Sequence, residues 1–160
     1  MGREVRMVPE KWEHPKNVAG KFNPLFGQGY GAAGEEWDSE KKDWGAGIFP
    51  DYACAESKLT TFEEWSGPRP DKADYMPEFG EEAAWFMMYE DTTEGTPISP
   101  AFKTPEELAH WLADNGASSF GSSTASYEAW LNIAKGGYAM SMVVSNGVAQ
   151  DGVSFSVQNK

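Results

Sequence analysis

Two histidines, one cysteine, a glycine-spaced motif and four adjacent glutamate pairs are the parts of this chain whose types and spacing could do chemistry. His14 and His110 are too few and too far apart in sequence for a zinc or haem site, which needs several convergent ligands. On a helix, His110 stands beside Glu107 and Asp114 and off the apolar stripe, which predicts a solvated, carboxylate-flanked imidazole rather than a general base. Cys54 has only Lys58 nearby to favour its thiolate, so a buried, inert thiol is expected. Gly29, Gly31 and Gly34 match the G-x-G-x-x-G spacing of phosphate loops, where glycine lets backbone amides approach the ligand. The preceding residues 22–26 do not make a buried parallel strand, Glu35 and Glu36 follow where a phosphate would sit, and no Lys-Ser/Thr comes after. A flexible glycine turn is the expectation there. The pairs Glu35/Glu36, Glu63/Glu64, Glu81/Glu82 and Glu106/Glu107 are sequence neighbours, so neither a helix nor a strand aims both members at one substrate atom. Glycosidase-type chemistry is therefore not indicated, and no EF-hand-like loop accompanies the carboxylates. Ser118, Ser119, Ser122, Ser123 and Ser126 lie outside any G-x-S-x-G elbow and read as linker and cap residues. The expectation is a non-enzymatic protein with no cofactor and no metal site.

Charge is the one extreme property. The 160 residues carry 25 acidic and 13 basic side chains, a formal net of −12. Residues 35–94 hold seventeen of the acids and five of the bases, whereas residues 1–21 are net positive by two. A field of that sign repels nucleic acid and anionic lipid, and it steers basic partners inwards. Direct nucleic-acid binding is not expected. The lone cysteine closes no intrachain disulfide, no basic and apolar leader opens the chain, and the longest apolar run, 83–89, is too short to cross a bilayer. These features predict a cytoplasmic protein without a membrane span.

The elements that must position these residues read as an α+β fold in a single domain spanning 1–160: a small, mainly antiparallel sheet, two packed helices, and a long irregular, aromatic-rich N-terminal half over 1–80. That half holds too many aromatics for disorder. Two short helices are expected within it, one over 35–44 with Asp38 and Lys42 spaced to pair, and one opened by a capping box from Thr61 to Glu64. The run 83–89 is apolar on both alternating faces and predicts a central strand covered on both sides. After a turn at 90–95, residues 96–102 return beside it, and Pro97 and Pro100 restrict them to an edge. Thr104, Pro105 and Glu107 open a helix over 105–114 with Leu108, Trp111 and Leu112 inward, ended by Asn115 and Gly116. A linker over 117–123 leads to a second helix capped by Thr124, with Tyr127, Trp130, Leu131 and Ala134 inward and Gly136 and Gly137 at its end. The tail alternates, so Met140, Met142 and Val144 and then Val153, Phe155 and Val157 predict two half-buried strands. The turn dipeptides at 146–147 and 151–152 offer two ways to close a hairpin between them.

The runs REVRMVPEKWEHPK at 3–16, EGTPISP at 94–100, TPEELA at 104–109, WLA at 111–113 and SYEAWL at 126–131 resemble small proteins encoded in tailed-phage and prophage genomes. The resemblance implies a phage setting and transfers no catalytic residue. In that setting the expected function is an acidic binding protein that inhibits or modulates a host nucleic-acid-handling or defence complex, in the manner of anti-CRISPR proteins or DNA mimics. The expected partner is a protein with a basic surface. Its binding residues are expected at Glu35, Glu36, Trp37, Asp38, Glu40, Asp43, Trp44, Glu63, Glu64 and Trp65, carboxylates for encounter and tryptophans for anchoring. Two alternatives are a small enzyme using His110 or Cys54, and a virion-associated or assembly protein.

Overall fold

The computed structural model describes residues 2–27, 29–91, 95–145 and 147–157. In chain order the elements are β1 (Arg3–Val8), α1 (Tyr30–Gly45), α2 (Phe62–Ser66), β2 (Trp85–Glu90), β3 (Thr96–Pro97), α3 (Pro105–Asp114), β4 (Ser118–Phe120), β5 (Ser123–Thr124), α4 (Tyr127–Gly136), β6 (Tyr138–Ala139), β7 (Met142–Ser145), β8 (Val148–Asp151) and α5 (Gly152–Phe155). The class is α+β with small antiparallel sheets. The described residues cluster into two compact units, one drawn from Met1–Gly27 and Glu78–Lys160, the other from Gln28–Pro77.

In the larger unit the main sheet runs β3-β2-β1-β6. β2 is an interior strand and β3 an edge strand, and Phe102 returns to bridge Phe86, so the 83–89 run and its proline-limited neighbour take the positions their composition predicts. The turn expected between them includes residues 92–94, which lie outside the described residues. The irregular N-terminal half is corrected at its start. β1 pairs with β2 over six residues, from Arg3 opposite Glu90 to Val8 opposite Trp85, and with β6 on its other side. Its pattern was hidden because two arginines occupy inward positions: Arg3 is 2 % exposed and Arg6 is 8 % exposed.

Both arginines have acceptors, as buried cations require. Arg3 donates through Nε to the Ser118 carbonyl at 2.8 Å and through Nη1 to the Gly2 carbonyl at 3.0 Å. Burial pulls its pKa down, and the charges of Glu90, Asp91 and Asp151 oppose that pull. On the other face of β1, Arg6 donates to the Leu25 carbonyl at 2.7 Å, pairs with Glu4 at 2.9 Å, and lies 4.4 Å over the Tyr89 ring.

α3 and α4 pack on each other, and Met88, Leu108, Leu112, Trp130 and Ile133 form the centre of the core. The Thr104 capping box forms in full: Glu107 N–H donates to Thr104 Oγ1, and Thr104 N–H donates to a Glu107 carboxylate oxygen. Such a cap contributes about 1 kcal/mol. Gly116, at φ +59°, turns the chain after α3. The second helix is capped by Ser126, whose hydroxyl accepts from Ala129 N–H, and not by Thr124. Thr124 is occupied in β5, because the Ser- and Gly-rich stretch expected as a linker folds into the β4–β5 hairpin.

The tail is corrected as well. β7 pairs with β8 from Met142 opposite Asp151 to Ser145 opposite Val148, which selects the 146–147 turn, although Asn146 itself lies outside the described residues. Val153 and Phe155 are helical in α5, not in a strand, because Asp151 accepts from Ser154 N–H at 2.9 Å and acts as an N-cap. Val153 is thereby delivered fully buried into the core. No helix among the described residues is long and apolar enough to cross a membrane.

Gly152 is where this arrangement leaves no room. A Cβ there would stand 2.0 Å from the Met140 carbonyl oxygen and 2.9 Å from its carbon, both backbone atoms. Gly152→Ala is expected to lower unfolding free energy by about 2 kcal/mol or more, whereas Gly136→Ala, with open space around it in α4, is expected to raise it by about 0.5 kcal/mol. Urea unfolding of the two variants checks both signs.

Candidate functional site

The smaller unit carries the residues on which the sequence places partner binding. α1 begins nearer the N-terminus than its charged run indicates, because Gly29 is its N-cap and Gly31 and Gly34 are helical. The glycine motif is therefore neither a phosphate loop nor a flexible turn. Gly34 instead makes room for a cation: a Cβ at that position would meet Arg69 Nη2 at 2.6 Å. One turn before it on the same face, Tyr30 Oη accepts from Arg69 Nη1 at 2.7 Å. One turn after it, Asp38 accepts from Arg69 Nε at 3.1 Å and Nη2 at 2.9 Å. The Arg69 guanidinium holds the Asp38 carboxyl below its usual range. Asp38 thus pairs with Arg69 and not with Lys42, and Glu63 pairs with Lys41.

At its C-terminal end α1 closes with four backbone hydrogen bonds. Ala46 N–H donates to the Lys42 and Asp43 carbonyls, Gly47 N–H to Trp44, and Ile48 N–H to Asp43 at 2.9 Å, with Gly47 at φ +79°. This reversal lays the 48–50 segment back along the last turn of the helix. α2 forms from its capping box, in which Glu64 N–H donates to Thr61 Oγ1 at 3.3 Å and Thr61 N–H to Glu64 at 2.8 Å. α2 brings Phe62 and Trp65 onto Trp44.

The resulting cluster is aromatic throughout. Trp44 and Trp65 stack with centroids 4.6 Å apart, Phe49 meets Trp44 edge-on at 4.8 Å, and Phe62 meets Trp37 edge-on at 5.2 Å. The indole N–H groups find carbonyls, Trp44 on Thr60 at 3.2 Å and Trp37 on Gly67 at 3.3 Å. Between α1, the 48–50 segment and α2 lies a hollow of about 210 Å³. Trp44, Phe49, Phe62 and Trp65, with Ile48 and Pro50, wall it, and Glu40 and Asp43 contribute carboxylates.

The ten expected binding residues therefore divide by role. Glu35, Glu36, Glu40, Asp43 and Glu64 are exposed, and the first four have no ion-pair partner among the described residues. Glu36, Glu40 and Asp43 follow one another along one stripe of α1. Asp38 and Glu63 are exposed but paired, Trp37 and Trp65 are half-buried, and Trp44 is in the core at 8 % exposure. The acidic block is divided between the two units. Eleven of its acids, with all five of its bases, belong to the smaller unit, and six acids with no base belong to residues 78–94 of the larger, where Glu90 is buried. Sequence reasoning missed Phe49 and Phe62 as walls. The available signal was the stop at Gly45, Ala46 and Gly47, which returns Phe49 to Trp44.

Other candidate groups are placed as follows. Cys54 is exposed, not buried, because its side chain projects from a turn. Its sulfur lies 2.9 Å from Ser57 Oγ, and that hydroxyl draws the thiol pKa down. His110 is exposed and stacks on Tyr127 at 4.1 Å. No group of three or more metal-ligating side chains comes together among the described residues. The larger unit has its own open cleft of about 1040 Å³, with Trp12, His14, Phe22, Met87 and Trp111 in its lining. His14 is 4 % exposed at its base, Nε2 lying 2.5 Å from the Asn23 carbonyl and Nδ1 3.1 Å from Tyr89 Oη, which also accepts from Trp12 Nε1 at 3.1 Å. A carbonyl only accepts, so Nε2 carries the proton, and Nδ1 and Met87 Sδ, the latter at 3.6 Å, are the two acceptors within reach of the Tyr89 hydroxyl. Comparison with protein-family models, with curated proteins and with solved structures finds no match to this chain.

Burial, with help from the Arg6 charge and against the Asn23 hydrogen bond, pulls the His14 pKa below its usual 6.5. Below that value the unfolded chain takes up a proton that the folded chain refuses, so acid favours unfolding. Unfolding free energy is expected to fall as pH drops from 6.5 towards 5, and the His14→Gln variant is expected to lose that part of the slope. Urea titrations of both proteins across this range check it.

Proposed function

We propose that this is an acidic binding protein that occupies the basic, nucleic-acid-handling surface of a host complex and thereby inhibits or modulates it. The observation that carries the reading is the disposition of the smaller unit: Glu35, Glu36, Glu40 and Asp43 stand exposed, without ion-pair partners among the described residues, beside an aromatic cluster with half-buried Trp37 and Trp65. Exposed carboxylates accelerate encounter with a cationic surface, and aromatic area supplies the desolvated contact that slows release. Arg69 and Lys41 do not undo this, because each is matched to a carboxylate of its own, leaving the net of the unit negative. The phage setting implied by the sequence resemblance fits such a role.

Capture from a nuclease-treated bacterial lysate tests the reading. The retained proteins are expected to be nucleic-acid-binding, with an association rate that falls at least about tenfold when salt rises from low to high. Retention is expected to weaken in the Glu35→Gln/Glu36→Gln variant. Retention indifferent to salt and to these substitutions contradicts the reading.

A further inference from the structure

Resting on that reading, we infer that the hollow between α1, the 48–50 segment and α2 is a socket for one cationic side chain of the partner, an arginine or a lysine. The alkyl stem lies on Trp44, Phe49 and Trp65, and the charged head meets Glu40 and Asp43.

Three features of the hollow select a cation. Four of its lining residues are aromatic, beside the aliphatic Ile48 and Pro50, and the face of an aromatic ring carries negative potential that attracts guanidinium and ammonium groups. Glu40 and Asp43 stand three residues apart on a helix, hence on one side of it, and neither has an ion-pair partner among the described residues. The hollow also sits at the C-terminal end of the sixteen-residue α1, where the helix dipole is negative. An anionic ligand meets three unfavourable terms there, and a neutral one gains from the rings alone.

The unit's own lysines show the same chemistry. Lys58 Nζ stands 5.5 Å over the Phe49 ring, and Lys41 Nζ stands 4.9 Å over Trp37. Size sets the rest: about 210 Å³ falls below the roughly 300–1,000 Å³ that encloses a drug-sized ligand, so the hollow suits a single side chain. Two carboxylates facing aromatic walls are a poor set for calcium or magnesium, which take six or more oxygen ligands.

The test uses the full chain labelled with nitrogen-15 and titrated with n-butylguanidinium, n-butylammonium and the neutral isostere n-butylurea. Both cations are expected to shift the indole resonances of Trp44 and Trp65 and the backbone amides of 48 and 49 in a saturable way by about 50 mM, where a ligand of several-millimolar Kd is mostly bound. The tighter of the two identifies an arginine or a lysine socket. Butylurea is expected to bind at least about fivefold more weakly, and Glu40→Gln/Asp43→Asn to weaken the cations by roughly the same factor. The Trp44 indole resonance, held by Thr60, reports whether that variant is folded. Absence of a saturable shift, equal response to butylurea, or unchanged cation affinity in the folded variant overturns the socket. A nona-arginine peptide separates this inference from the reading beneath it. Salt-sensitive peptide binding that survives Glu40→Gln/Asp43→Asn leaves the reading standing and removes the socket; no peptide binding to the native protein removes the reading.

Discussion

A cation taken out of water must be given acceptors, and the way β1 meets that requirement governs the larger unit; in the smaller unit an exposed arginine, Arg69, is held by its own acceptors at the surface. All three of its arginines are engaged by groups of their own unit: Arg3 by the Ser118 and Gly2 carbonyls, Arg6 by Glu4, the Leu25 carbonyl and the Tyr89 ring, and Arg69 by Asp38 and Tyr30. In the larger unit this allows a charged strand, β1, to run through the middle of the sheet. In the smaller unit it fixes Arg69 across α1, and Gly34 is the position that makes the crossing possible. The charged side chains left facing water are predominantly acidic.

The same arrangement shapes the site. Arg69 and Lys41 are matched one to one with Asp38 and Glu63, so the stripe of Glu36, Glu40 and Asp43 keeps its charge. Trp44, the residue next to Asp43, is turned inward and stacked on Trp65. Acid and aromatic therefore meet at one end of one helix, where the Gly47 reversal brings Phe49 in as a further wall. Exposed ion pairs contribute little to folding, so the unpaired carboxylates cost the fold little and remain available to a partner.

Local signals were legible in the sequence wherever a side chain satisfies its own neighbourhood. The Thr61 and Thr104 capping boxes, the Pro105 start and the Gly116 and Gly137 stops each depend on residues a few positions apart and stand where their spacing indicates, and the interior strand expected over 83–89 forms two residues later, over Trp85–Glu90. What escaped reading depends on distant partners. β1 has no apolar alternation because Arg3 and Arg6 are stabilised by carbonyls 115 and 19 residues away. Gly34 looks like half of a phosphate loop until Arg69 arrives from 35 positions later. The Val153 and Phe155 alternation suggests a strand, and the Asp151 cap converts it to a helix that drops Val153 into the core. Of the candidate site, the charge and the tryptophans were visible, but their division into paired acids, unpaired acids and core walls was not.

The exposed carboxylates of α1 present a local negative field to solvent. Paramagnetic relaxation of backbone amides by a cationic and by an anionic nitroxide of similar size measures that field directly. The cationic probe is expected to relax amides around Glu36, Glu40, Asp43 and Phe49 far more than the anionic probe, with the contrast fading as salt is raised. Equal relaxation by the two probes along that stripe would contradict it.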